Sequence, residues 1–157
     1  MDVCDKTSVV SAARTLEKEW GRLDILINNS GYMAKFAPLL DVDDEEYAKV
    51  WDVNYWGTFR VTKAFLPILL RGGDKTIINI TSMAAQFAGM GGGAYHVSKF
   101  ALARFTEFVQ DEYGSQVSLL SRGDSGHAND KGRLGVLYPS WGRPDGSVLQ
   151  PTGGIAM

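Results

Sequence analysis

Tyr95 and Lys99 stand four residues apart in a stretch whose apolar spacing predicts an amphipathic helix over 94–112, so their side chains share one face. A phenol alone is a poor proton donor or acceptor near neutral pH. An ammonium within about 4–6 Å favours the phenolate and makes a phenol useful for acid–base work. Ser82 lies thirteen positions before Tyr95, at the end of a strand predicted over 76–81. A hydroxyl there can hydrogen-bond the same substrate oxygen that the phenol protonates. Asn28-Asn29-Ser30-Gly31 follows a strand predicted over 23–28 in the corresponding place, and Gly31 allows backbone to approach a ligand closely. Asn54 precedes an apolar helix predicted over 58–70, where it holds backbone or water, or caps the helix. Each feature alone has an ordinary reading: a surface Tyr–Lys pair, a turn serine, a turn Asn-Gly, a cap.

Bringing these residues together requires a sheet. Val9, Val10, Ala13, Leu16 and Trp20 recur at helical spacing between a capping Thr7 and a terminating Gly21. Leu23–Asn28 (LDILIN) is almost continuously apolar, as expected of a parallel strand buried on both faces. The acidic run Asp41–Glu46 fits a helix N-terminus over 43–51 better than a cation site. In the helix over 58–70, Pro67 bends or ends the run. Thr76–Thr81 (TIINIT) is a second β-branched strand. Gly114 closes the Tyr95 helix, and Gln116–Leu120 is a weaker strand signal. Alternating strands and helices imply a parallel α/β layer structure. Ligands of such sheets bind at the carboxyl ends of the strands, where Asn28 and Ser82 fall.

Composition narrows the classes. A chain of 157 residues with 45% apolar content is one globular domain. Sixteen Lys+Arg against eighteen Asp+Glu give a net charge of −2, a poor basis for binding nucleic acid or an anionic membrane. One cysteine and two histidines offer neither a disulfide framework nor a metal cluster. No run is long and apolar enough for a membrane helix, and the N-terminus lacks the pattern of a signal peptide, so a cytoplasmic location is expected. Trp20, Trp51 and Trp56 read as packing residues and His96 as a helix-surface histidine. Composition shifts near Gly114. The 43 residues from Ser115 to Met157 hold eight Gly and three Pro, against ten and two in the preceding 114. Residues 121–157 are expected to be poorly ordered.

In order and spacing these motifs resemble those of the classical short-chain dehydrogenase/reductase family. Asn28-Asn29-Ser30-Gly31 stands for N-N-A-G, Asn54 lies in V-N-Y-W-G, Ser82 in I-N-I-T-S, and Tyr95–Lys99 forms Y-x-x-x-K. Asp2-Val3 is similar to the family's D-V pair, whose carboxylate contacts adenine. The resemblance covers residues 2–114. It implies a Rossmann-like, doubly wound parallel sheet and hydride transfer between NAD or NADP and an alcohol/carbonyl substrate. Tyr95 would be the general acid/base. Lys99 would support it and hold the nicotinamide ribose, Ser82 would orient the substrate oxygen, and Asn54 would support a water relay. Asp2, Val3, Asn28, Ser30 and Gly31 would line the cofactor cleft, with Tyr95 and Lys99 also binding the cofactor. The resemblance also implies pairing of like or unlike chains through the helices over 58–70 and 94–112.

The pattern has departures. The family's first strands and T-G-x-x-x-G-x-G turn have no counterpart in these residues, so a partial sheet and reduced cofactor affinity are expected. Gly89-Met90-Gly91-Gly92-Gly93-Ala94 fits G-x-G-x-x-A by letter but precedes Tyr95 and reads as a substrate-side loop. The reading is thus a partial dinucleotide-binding domain over 1–114 and a divergent tail over 115–157. The alternative is an inactive truncated fragment, a gene-model or splice product that at most pairs with another chain.

Overall fold

The computed structural model describes residues 1–88 and 91–122. Seven regular elements alternate along them. Helix α1 (Lys6–Trp20) leads to strand β1 (Ile25–Asn28), helices α2 (Asp44–Trp51) and α3 (Thr58–Leu69), strand β2 (Thr76–Ile80), helix α4 (Gly93–Tyr113) and strand β3 (Ser118–Arg122). The strands form one parallel sheet in the order β1-β2-β3. This is the α/β class expected. The third strand starts two residues later than Gln116 and includes Ser121 and Arg122, which the tail reading had left out. Of the tail, residues 123–157 lie outside the described residues, as do Gly89 and Met90.

Local chemistry explains most boundaries. Asp5, rather than Thr7, caps α1: its carboxylate accepts from the Thr7 N–H at 2.8 Å. Thr7 is the better placed residue by letter, but Asp5 has the extended backbone a cap requires. Gly21 ends α1 in the left-handed region, φ 72°, and returns its N–H to Glu17. The acidic cluster does open a helix, with Asp44, Glu45 and Glu46 in the first turn of α2. Pro67 does not end α3, which runs two residues past it. The expected gap between the two central helices is instead a continuous π-helical segment, Asp52–Gly57. Gly57 is needed there, because a Cβ would stand 2.8 Å from Val3 Cγ2.

In-register Leu26, Ile77 and Leu119 form one face of the sheet. On that face sit Val9 and Ala13 of α1, Val61, Phe65, Ile68 and Leu69 of α3, and Val109 of α4. Each such buried aliphatic or phenyl group contributes roughly 1.5–3 kcal/mol. The opposite face is not covered by the described residues. Ile25 and Ile27 are 47% and 58% exposed, against the expectation that β1 is buried on both sides. Among the described residues, the apolar letters of β1 meet one helical layer. Trp20 is likewise corrected: it is 73% exposed at the end of α1, whereas Trp56, though exposed, packs edge-on to Tyr55 and Phe59. Only Trp51 of the three is half-buried, edge-on to Tyr55.

Candidate active site

The site gathers where β1 and β2 end and α4 begins. Strand β2 stops at Ile80, and Ser82 caps a short 3-10 turn, Met83–Ala85, by accepting from the Ala84 N–H at 3.1 Å. This uses a lone pair of the half-buried Ser82 oxygen and leaves its proton free to donate. On α4, Tyr95 and Lys99 share one face as their spacing predicts. The Lys99 Nζ lies 5.6 Å from the Tyr95 ring centre and donates to the Ile80 carbonyl at 2.9 Å. Lys99 is buried, and burial lowers its pKa below the ordinary lysine value. One of its three N–H groups is spent on Ile80. Gly31 lies against the same ammonium: a Cβ there would stand 3.6 Å from Nζ and 3.8 Å from Asn54 Oδ1.

Asn54 is fully buried, and its side chain is engaged. Oδ1 accepts from the Tyr32 N–H at 2.7 Å, and Nδ2 donates to the Tyr32 carbonyl and to Ser98 Oγ, each at 2.9 Å. Ser98 Oγ in turn donates to the Tyr95 carbonyl at 2.8 Å. The π-helical segment carrying Asn54 thus ties the loop after β1 to the turn of α4 that presents Tyr95. The capping role offered for Asn54 is not what the structure uses. The Tyr32 hydroxyl donates to Glu46, which holds that loop from its other side.

Asn28 is buried and donates to Thr62 Oγ1 at 3.1 Å and to Asn79 Oδ1 at 2.8 Å. Asn79 donates onward to Thr106 Oγ1 at 2.9 Å. The amide chain links β1, β2, α3 and α4 beneath the site. Asn28 also lines a cleft with Val3, Ser30, Ile27, Gly57 and Thr58. Ser30 is exposed there. Asp2 is exposed near the start of α1, its carboxylate accepting from the Cys4 N–H at 2.9 Å. The structure therefore joins Tyr95, Lys99, Gly31 and Asn54 in one group and Val3, Asn28 and Ser30 in another, with Ser82 two residues past the Ile80 carbonyl that Lys99 holds and Asp2 beside Val3 in sequence. Ser98, Asn79 and Tyr32 were missed. Ser98 sits one helical turn after Tyr95, and Asn79 faces Asn28 in register, so spacing alone carried a signal for both. His96 is half-buried, and its Nδ1 pairs with the Phe87 carbonyl at 2.8 Å.

A family model described as short chain dehydrogenase matches residues 1–121. The chain belongs to the short-chain dehydrogenase family. The match extends seven residues past the resemblance read from the motifs and takes in most of β3. The short chain dehydrogenases mpl6 of Monascus purpureus and pigC of Monascus ruber are 44% and 39% identical over 116 residues, 74% of this chain. The chain spans about 40% of the length of these curated relatives. A short-chain type dehydrogenase/reductase from Mycobacterium ulcerans is 28% identical and superposes with a TM-score of 0.72, covering 77% of this chain and 44% of that one. An alcohol dehydrogenase from Thermococcus sibiricus, complexed with 5-hydroxy-NADP, is 27% identical with a TM-score of 0.70, covering 77% and 50%. These neighbours share the Rossmann-like fold, of which the described residues form a partial, three-stranded version. No helix among the described residues is long and apolar enough to cross a membrane.

Proposed function

We propose that this chain carries the substrate half of an NAD(P)-dependent oxidoreductase that interconverts an alcohol and a carbonyl compound. One observation carries the reading: a buried ammonium, pinned by the Ile80 carbonyl, lies under the Tyr95 ring and against the bare backbone of Gly31. The Lys99 ammonium keeps two N–H donors beside a strip of backbone with no side chain, which suits the hydroxyls of a nicotinamide ribose. Val3, Asn28 and Ser30 line the cleft that would hold the other ribose. The residues present therefore fit the nicotinamide end of a dinucleotide. When bound, the dinucleotide supplies the hydride chemistry.

This chain's own residues supply the proton. In the reducing direction the Tyr95 hydroxyl gives its proton to the substrate oxygen, and in the oxidising direction it takes one back. Lys99 stabilises the negative charge that forms on the Tyr95 oxygen. Ser82 keeps its proton and donates a hydrogen bond to the same substrate oxygen. Asn54 and Ser98 act as positioning residues, fixing Gly31 and Tyr95 relative to one another. The Thermococcus sibiricus structure with 5-hydroxy-NADP supports NADP as one cofactor to try.

The test is a thermal melt of the chain with NAD(H) and NADP(H), paired with a turnover assay on a panel of ketones and aldehydes. A dinucleotide at about a hundred times its Kd raises stability by about 2.7 kcal/mol, a shift of several degrees. Tyr95→Phe is expected to keep that shift and lose at least about a hundredfold in turnover. A melt indifferent to every dinucleotide, with no turnover, refutes the reading. The alternative, association with another chain, draws support from Phe100 and Phe108, exposed at helical spacing on α4. Association by sedimentation, together with a melt and turnover indifferent to every dinucleotide, would favour that inactive fragment.

A further inference from the structure

Two loops flank the start of α4, and both present aromatic rings to solvent. Phe36, from the loop after β1, is 67% exposed, yet its ring is seated. Gly91 and Gly92 have φ of 72° and 67°, and the Phe36 ring lies against their backbone. A Cβ at Gly91 would overlap Phe36, and one at Gly92 would stand 3.4 Å from it. Leu39 packs the same way on Gly93, where a Cβ would come within 2.8 Å. From the loop after β2, Phe87 is 54% exposed and packs edge-on against His96, ring centres 5.8 Å apart. Its carbonyl is held by His96 Nδ1. Phe36 and Phe87 are therefore both held at the start of α4, the first by the glycines that open it and the second by His96 beside Tyr95. Held, exposed rings beside a reactive group mark a binding surface more often than a bare monomer surface.

Charge sharpens the reading. From Thr76 to Ser98 the sequence has no Asp, Glu, Lys or Arg in 23 residues, where the chain's 22% charged content predicts about five. The loop 32–40 has one, Lys35, which is exposed. Apart from Lys99, whose ammonium is buried beneath the Tyr95 ring, a charged substrate would meet no buried counter-ion from these two segments, and a polyol would find few side-chain partners.

We infer that Phe36 and Phe87 are specificity-determining residues that clasp the body of a neutral aromatic or extended apolar ketone, aldehyde or alcohol, with its oxygen directed to Tyr95 and Ser82. This deepens the oxidoreductase reading and rests on it for the placement of the oxygen.

The test measures binding of three probes to the full chain by ligand-observed NMR, with and without dinucleotide: methyl naphthyl ketone, its sulfonated analogue and dihydroxyacetone. The naphthyl ketone is expected to bind at least tenfold more tightly than either other probe. Phe36→Ala and Phe87→Ala should each weaken it about five- to tenfold. Because both rings are exposed, these variants should melt close to the parent. Phe36→Trp should retain affinity. Failure of the naphthyl ketone to bind, equal affinity for the sulfonate or dihydroxyacetone, or indifference to both alanine variants overturns the inference. Turnover of dihydroxyacetone without naphthyl ketone binding overturns it while keeping the oxidoreductase reading. Tight naphthyl ketone binding with no turnover by any dinucleotide keeps the apolar clasp and defeats the oxidoreductase reading.

Discussion

Replacing Asn79 by Ala probes how the interior holds the two strand ends together. Asn79 is fully buried and sits in the middle of an amide chain, accepting from Asn28 at 2.8 Å and donating to Thr106 at 2.9 Å. Asn79→Ala removes both bonds, worth about 1 kcal/mol each net. Asn28 keeps its bond to Thr62 and Thr106 keeps its bond to the Leu102 carbonyl, so neither is wholly orphaned. The remaining cost is a polar-lined void, and the sum is about 3 kcal/mol. Against a typical domain stability of about 5–15 kcal/mol that is a large share. Asn28→Ala should cost about 2 kcal/mol, and the double variant should cost about 1–2 kcal/mol less than the sum, because the two amides share a bond. Urea unfolding midpoints read all three values. A cost below about 1 kcal/mol for Asn79→Ala, or strict additivity, would refute the idea that this chain fixes the sheet beneath the site. The same cycle sorts the two readings of Asn28. If Asn28→Ala leaves stability intact and abolishes a dinucleotide-induced shift, the residue serves the ligand instead.

Two further changes follow from the geometry. Gly57→Ala places a methyl group against Val3 and should cost about 1–3 kcal/mol by overpacking, part of it regained in the Gly57→Ala/Val3→Ala double variant by thermal melt; equal loss in both would show that the π-helical backbone, not Val3, requires glycine. The burial of Lys99 lowers its folded pKa below the unfolded value of 10.5, so the unfolded chain binds the proton more tightly. The resulting stability is present in full above pH 10.5 and is lost as pH falls through the folded pKa. The melting temperature of the parent relative to Lys99→Met should therefore rise as pH is raised towards 10.5, and a flat difference would contradict the buried-ammonium picture.

The sequence made some parts of this architecture legible for simple physical reasons. The periods of α1 and α4, the glycine stop at Gly21 and the β-branched run of β2 depend on local chemistry, and the structure follows them closely. What failed depended on neighbours. A run such as LDILIN reads as doubly buried because its letters are apolar, yet whether the second face is covered depends on other elements, and here Ile25 and Ile27 stand open. Likewise Asp52–Gly57 offers no letter pattern for a π-helical segment. It exists because the chain must continue from α2 into α3 while Asn54 turns inward to bond Tyr32 and Ser98.

The same distinction runs through the candidate site. Residue type and spacing pick out Tyr95, Lys99, Ser82, Asn54 and Asn28 but cannot say where their polar atoms are spent. In the folded chain Asn28 and Asn54 direct side-chain bonds to other protein groups, joining strand to strand and loop to helix. Lys99 gives one donor to the protein and retains two, and Ser82 gives a lone pair and retains its proton. The Tyr95 oxygen makes no hydrogen bond to the described residues. Capacity left over thus rises from the amides to the groups assigned to the reacting oxygen. A site whose positioning groups are satisfied internally, and whose reactive groups keep open hydrogen-bonding positions, is preorganised for a ligand. That ordering follows from the hydrogen bonds of this chain and would hold whatever substrate it receives.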